Sequence, residues 1–123
     1  MTAPVPPSES AQVDALVFLP ELARLVAEGR KTETRRPIRE ARPCRYQPGR
    51  VYPVRDREDG PTLAHVRVRS VTPELLGHVD AHAEGFDSLA EFKRCWKQIY
   101  GTLDGRTPVW VIAFELVEEG GER

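Results

Sequence analysis

Apolar residues recur along the chain with a period that changes from segment to segment, and each change marks an element. Asp14-Ala15-Leu16-Val17-Phe18-Leu19 is a short apolar run that reads as a buried strand. Pro20 then stands where the first helical residue tolerates proline, and Glu21 suits the positive end of a helix dipole. Leu22, Leu25 and Val26 fall at helical spacing up to Gly29, the expected left-handed cap. From Thr32 to Gly49 the periodicity lapses, and Pro37, Pro43 and Pro48 forbid a continuous helix, so this stretch is predicted to be an extended basic loop. Strand character returns over Gly49-Arg50-Val51-Tyr52-Pro53-Val54-Arg55, with Pro53 arguing for an edge or a bulge.

A turn at Glu58-Asp59-Gly60-Pro61 leads into Ala64–Val71, where Val66 and Val68 alternate with Arg67 and Arg69 as in a half-exposed strand antiparallel to its predecessor. Thr72-Pro73-Glu74 is expected to open a short helical segment that turns Leu75 and Leu76 inward. Ser88-Leu89-Ala90-Glu91 is a capping box, and Leu89, Phe92, Trp96 and Ile99 form one apolar stripe ahead of Gly101. Pro108–Val117 is apolar on both faces until Glu115, which predicts a central or barrel strand covered on both sides. The elements predict an α+β domain: a small, mostly antiparallel or mixed sheet curled into a barrel and plugged by helices. It spans 13–118, between a disordered tail over 1–12 and a frayed tail over 119–123.

Composition changes this picture in one respect. The net charge of −1 conceals a basic segment: residues 30 to 57 carry ten Lys/Arg against three acidic residues, leaving eight against sixteen elsewhere. Such segregation, with Tyr46 and Tyr52 as stacking surfaces, suits an anionic partner such as single-stranded nucleic acid. No apolar run is long enough to cross a membrane and no secretory leader is readable, so a cytoplasmic location is expected. Cys44 and Cys95 are too few for a disulfide framework.

The chain has no phosphate-binding Gly-rich loop, no Cys-x-x-Cys and no Gly-x-Ser-x-Gly, so no cofactor is implied. His78 and His82 have a zinc-compatible spacing but no third ligand beside them, and they read as surface histidines with no metal site. The dense chemistry lies in Gly29-Arg30-Lys31-Thr32-Glu33-Thr34-Arg35-Arg36, directly after the helix cap.

Gly29-x-Lys31-x-x-Thr34-x-Arg36 resembles the motif of the ASCH domain family, within the PUA-like superfamily of small β-barrels linked to RNA. The likeness extends to Gly49–Arg55, to Glu84-Gly85-Phe86, and to Phe92-x-x-x-Trp96-x-x-x-Tyr100-Gly101 with Pro108-x-Trp110-Val111-Ile112-x-Phe114. It covers about 14 to 117, and the Lys-Thr-x-Thr-Arg-Arg-Pro form is most similar to ASCH proteins of phages and prophage-rich bacteria. Arg50 stands where an Asp is common, and Pro53 interrupts the usual strand. The resemblance implies a cleft at the motif that takes RNA or a modified nucleoside. Three activities are compatible with it: amide hydrolysis of N(4)-acylated cytidine, ribonuclease action on single-stranded RNA, and non-catalytic RNA binding. In the hydrolase reading it implies Lys31, Thr34 and Glu84 as catalytic residues. The accompanying ligand-binding set is Gly29, Arg35, Arg36, Arg39, Tyr52 and Arg55.

Overall fold

The computed structural model describes residues 15–39 and 43–117; the expected terminal tails lie outside the described residues. The elements are β1 (Leu16–Val17), α1 (Pro20–Ala27), β2 (Glu33–Pro37), β3 (Val51–Arg55), β4 (Ala64–Leu75), a short 3₁₀ turn (Leu76–His78), α2 (Leu89–Tyr100) and β5 (Pro108–Val117). Five strands form one mixed sheet in the order β1-β3-β4-β5-β2; β1 runs parallel to β3 and every other pairing is antiparallel. This is a small α+β barrel of the PUA-like kind.

Two apolar clusters account for the covering of β5 on both faces. Ile112 and Phe114 join Leu16, Phe18, Leu22, Val26, Val54 and Val66 in the barrel interior under α1. Val109 and Val111, of opposite parity, pack with Leu76, Phe92 and Trp96 of α2. Phe86 touches both clusters. The α2 stripe is narrower than its spacing suggests, since Leu89 and Ile99 remain 46% and 47% exposed. Its capping box forms with a one-residue shift: Ser88 Oγ accepts from the Glu91 amide, and Glu91 Oε1 accepts from the amide of Asp87.

Three predicted elements are corrected. The extended basic loop contains a strand, β2, whose backbone pairs with β5 from Glu33↔Ala113 to Pro37↔Val109. Its apolar pattern is absent because its side chains meet charged partners, while β5 supplies the ladder. Second, Thr72-Pro73-Glu74 continues β4 instead of opening a helix; a bulge between Val68 and Ser70 shifts the register and lets the strand follow β5 to Leu75. Leu76 is buried, but Leu75 is 43% exposed. Third, β3 lies between β1 and β4 rather than at an edge. The Arg50 and Val54 carbonyls accept from the Val68 and Leu63 amides, so Pro53, of opposite parity, removes no bond to β4. Among the described residues, the two-residue β1 pairs with Val54 and Arg55.

Among the described residues, no strand ladder closes the barrel. β1 and β2 are the two ends of the sheet, and Arg36 of β2 donates from Nη2 to the carbonyl of Val17 at 3.2 Å, bridging them.

Candidate active site

The site is built outward from the end of α1. Gly29 has φ +80°, its amide donates to the Val26 carbonyl, and the Arg30 amide donates to the Leu25 carbonyl. This paired closure is a Schellman cap, and it fixes the direction in which the chain enters β2. The Thr32 and Glu33 amides both donate to the Ala83 carbonyl, which pins the 81–86 turn against the start of β2. Gly85 (φ +97°) completes that turn with its Cα against Lys31; a Cβ there would sit 3.2 Å from Lys31 Cβ and 3.0 Å from Leu25 Cδ1.

Lys31 is 2% exposed and among the largest fully buried side chains. Its ammonium donates to Glu84 Oε1 at 2.7 Å, to the Glu84 carbonyl at 2.9 Å and to the Glu33 carbonyl at 3.0 Å. All three N–H donors are thereby used, and the ring of Phe18 lies 5.5 Å away. Burial pulls the Lys31 pKa below its ordinary value of 10.5; Glu84 opposes that shift by charge and hydrogen bond, and Arg36 adds to it.

Strand alternation separates the three residues that follow Glu33. Thr34 and Arg36 share one face of β2, where Arg36 Nε donates to Thr34 Oγ1 at 3.4 Å and the guanidinium lies 5.3 Å from the Phe18 ring centroid. Arg35 turns to the other face, 4% exposed. There its Nε donates to Glu74 Oε1 at 2.9 Å and its Nη1 to Glu84 Oε2 at 3.2 Å, with Glu33 Oε1 3.0 Å from Nη1. Burial works against that charge, but the bonds from Glu74 and Glu84 outweigh it and raise the Arg35 pKa.

A cavity of about 320 Å³ is lined by the polar side chains of Lys31, Thr34, Arg35, Arg36 and Glu84 and by the aromatic rings of Phe18, Phe86, Phe92, Trp96 and Tyr100. Polar groups converging on an aromatic slot suit a flat heterocycle carrying one reactive polar substituent. Cys95 also lines it, its thiol pKa pushed up by burial. A second cleft of about 610 Å³ shares Val17 and Arg36 with the first and carries Arg39, Arg45 and Glu58.

The other sequence-predicted residues are dispersed. Gly29 shapes the cap outside the cavity wall, and half-buried Arg55 donates weakly to the Glu58 carbonyl at 3.5 Å. Tyr52 and Tyr46 pack against each other, and Tyr46 also borders the second cleft. They are 5% and 8% exposed in the core, packed edge to face at 5.1 Å, with Tyr52 Oη accepting from the Gln47 amide. Arg35 is a buried ion-pair hub that also lines the 320 Å³ cavity. His78 and His82 are exposed, in the 3₁₀ turn and the turn before Glu84. Glu74 was missed because its segment read as helical; a longer β4 would have placed it, by parity, across β5 on the face of Arg35.

No family model matches the chain. The fold resembles that of an ASCH domain from Lactobacillus crispatus, with TM-score 0.68 at 16% identity over 91% of this chain and 86% of that one. It also resembles a protein of family DUF984 from Enterococcus faecalis, with TM-score 0.63 at 22% identity over 84% and 80% of the two chains. The sequence is 37% identical over 101 residues to the N(4)-acetylcytidine amidohydrolase of Serratia proteamaculans, an ASCH protein, covering 80% of this chain and 93% of that one. The chain belongs to the ASCH family. Its ASCH motif therefore divides in space: Gly29 caps the helix, Lys31 is buried against Glu84, and Thr34 and Arg36 share the face of the edge strand that Ile112 shares, toward the barrel interior. Arg35 and Glu74 fall outside the ASCH motif as defined by Gly29, Lys31, Thr34 and Arg36.

Proposed function

We infer that this protein is an amidohydrolase that removes the acyl group from N(4)-acylated cytidine. The observation that carries the reading is a buried Lys31–Glu84 pair beside Thr34 in an aromatic-walled cavity, in a chain similar along most of its length to an enzyme of that name. The cytosine ring lies in the slot, with its acylated amine toward Lys31, Thr34 and Glu84.

The chemistry balances within these three residues. Over the 2.7 Å hydrogen bond, Lys31 passes one proton to Glu84 and becomes a neutral amine with a free lone pair. Burial favours that neutral form. Arg36 donates to Thr34 Oγ1, which occupies an oxygen lone pair and leaves the hydroxyl hydrogen to be donated. Thr34 Oγ attacks the acyl carbonyl as Lys31 takes its proton, and Glu84 delivers a proton to the departing cytidine amine. Water then cleaves the threonyl ester, returning a carboxylic acid, the Thr34 hydroxyl and the ion pair.

Hydrolysis of N(4)-acetylcytidine, followed by loss of its ultraviolet band, tests the reading. Thr34→Val keeps the shape of the side chain and lowers turnover at least ~100-fold, whereas Thr34→Ser retains measurable turnover. Equal activity of Thr34→Val and wild type would rule out Thr34 as the nucleophile.

The second cleft favours one further reading, a module that holds an RNA strand by its phosphates along Arg36, Arg39 and Arg45. Its mark is RNA affinity that falls linearly with the logarithm of salt concentration while the RNA stays intact. Affinity independent of salt removes it.

A further inference from the structure

The Lys31–Glu84 pair does not stand alone. Each oxygen of Glu84 has a different partner: Oε1 takes Lys31 Nζ at 2.7 Å and Oε2 takes Arg35 Nη1 at 3.2 Å. The carboxylate is therefore clamped from both sides, and rotating it to release one contact breaks the other. Arg35 is held in turn by Glu74, whose Oε1 accepts from Nε at 2.9 Å. The sheet makes this possible. Arg35 lies opposite Val111 and Glu74 opposite Val109, so both side chains occupy one face on either side of β5 and reach across it.

The hydrolytic mechanism uses Lys31, Thr34 and Glu84 and leaves Arg35 and Glu74 without a task. Side-chain exposure is 2% for Arg35, 6% for Glu84 and 25% for Glu74, so the chain of charges runs from the solvent edge to the buried pair. A buried guanidinium on Glu84 without a second anion would oppose the proton transfer that frees Lys31. Glu74, with Glu33 Oε1 3.0 Å from Nη1, offsets part of that pull. The geometry points to Arg35 and Glu74 as positioning residues, Arg35 aiming the Glu84 carboxylate at Lys31 and Glu74 setting how strongly Arg35 holds it. The assignment rests on the hydrolytic reading of the cavity.

The charged or titratable groups acting on Lys31 are Glu84 from the 81–86 turn, Arg36 from β2 and Cys95 from α2, with Glu33 and Glu74 acting through Arg35. Glu74→Gln makes this cluster one charge more positive, so each proton in the coupled pair leaves at lower pH. The expected result is a kcat lower by ~10- to 100-fold with KM within about two-fold, and a kcat–pH profile displaced to lower pH. Glu74→Asp keeps the charge and returns the profile to the wild-type position. Arg35→Lys keeps the charge but loses the planar fork, so kcat falls without displacement of the profile. A merely structural role would lower the active fraction and leave the profile where it was.

A second readout is independent of turnover. Lys31, Lys93 and Lys97 are the lysines of the chain, so the side-chain 13C resonance of Lys31 can be followed by NMR through a pH titration. Its midpoint should fall in Glu74→Gln and stay in place in Glu74→Asp. If wild type fails to hydrolyse N(4)-acetylcytidine but the Lys31 midpoint moves as stated, the substrate reading fails and the electrostatic role of Glu74 stands. An unmoved midpoint and unmoved profile in folded Glu74→Gln overturn the inference.

Discussion

Lys31→Met gives a folded protein that hydrolyses N(4)-acetylcytidine at least ~1,000-fold more slowly than wild type. Methionine matches the unbranched stem and keeps the contact with Phe18, while the lone pair that accepts the Thr34 proton is gone. Glu84 is not stranded by this change, because Oε2 keeps Arg35. The same variant separates the cost of the buried ammonium from its use. The folded-state pKa of Lys31 lies below 10.5, so the native state binds fewer protons than the unfolded state between the two values. Stability attributable to Lys31 therefore rises with pH across that window, and the penalty is fully present below it. Urea unfolding of wild type at rising pH should show this increment, and Lys31→Met should lack it. Identical pH dependences in the two proteins would mean that the lysine titrates normally.

Glu84→Ala has the larger structural effect. It removes the one carboxylate shared by Lys31 and Arg35, whose side chains are 1% and 2% exposed, and leaves a buried ammonium close to a buried guanidinium. Breaking a buried pair from one side destabilises by about 3–5 kcal/mol, through the charge left uncompensated. Turnover should be lost as well. Combining it with Lys31→Met removes the stranded ammonium, so the double variant should be more stable than Glu84→Ala alone by at least ~1 kcal/mol. Strict additivity in denaturant unfolding would show that the two side chains do not interact.

Why the sequence disclosed some of this and not the rest follows from where each residue finds its partners. The β5 strand was legible because both of its faces are apolar, and the Gly29 cap because a left-handed residue after an apolar stripe leaves a local mark. β2 was hidden for the opposite reason. Glu33-Thr34-Arg35-Arg36-Pro37 contains no apolar residue besides its proline, and its strand conformation is imposed by β5, more than seventy residues away in sequence. The continuation of β4 through Pro73 was hidden by a bulge that no local composition announces. Lys31, Thr34, Arg36 and Glu84 could be grouped through the family motif. The division of labour between adjacent Arg35 and Arg36 needed the strand, since only a period of two sends them to opposite faces. The burial of Tyr46 and Tyr52 was not legible, because aromatic residues within a basic stretch look alike whether they stack on a ligand or fill a core.

The seam of the barrel bears on both clefts. The two end strands meet through a side chain, Arg36 to the Val17 carbonyl, and that guanidinium also borders both clefts. The Val17 carbonyl takes one of the five N–H groups of Arg36 and the Thr34 hydroxyl another, so a guest can engage the remaining donors while the bridge stays in place. A guest bound in either cleft would then be read by the same guanidinium that ties the two ends of the sheet together.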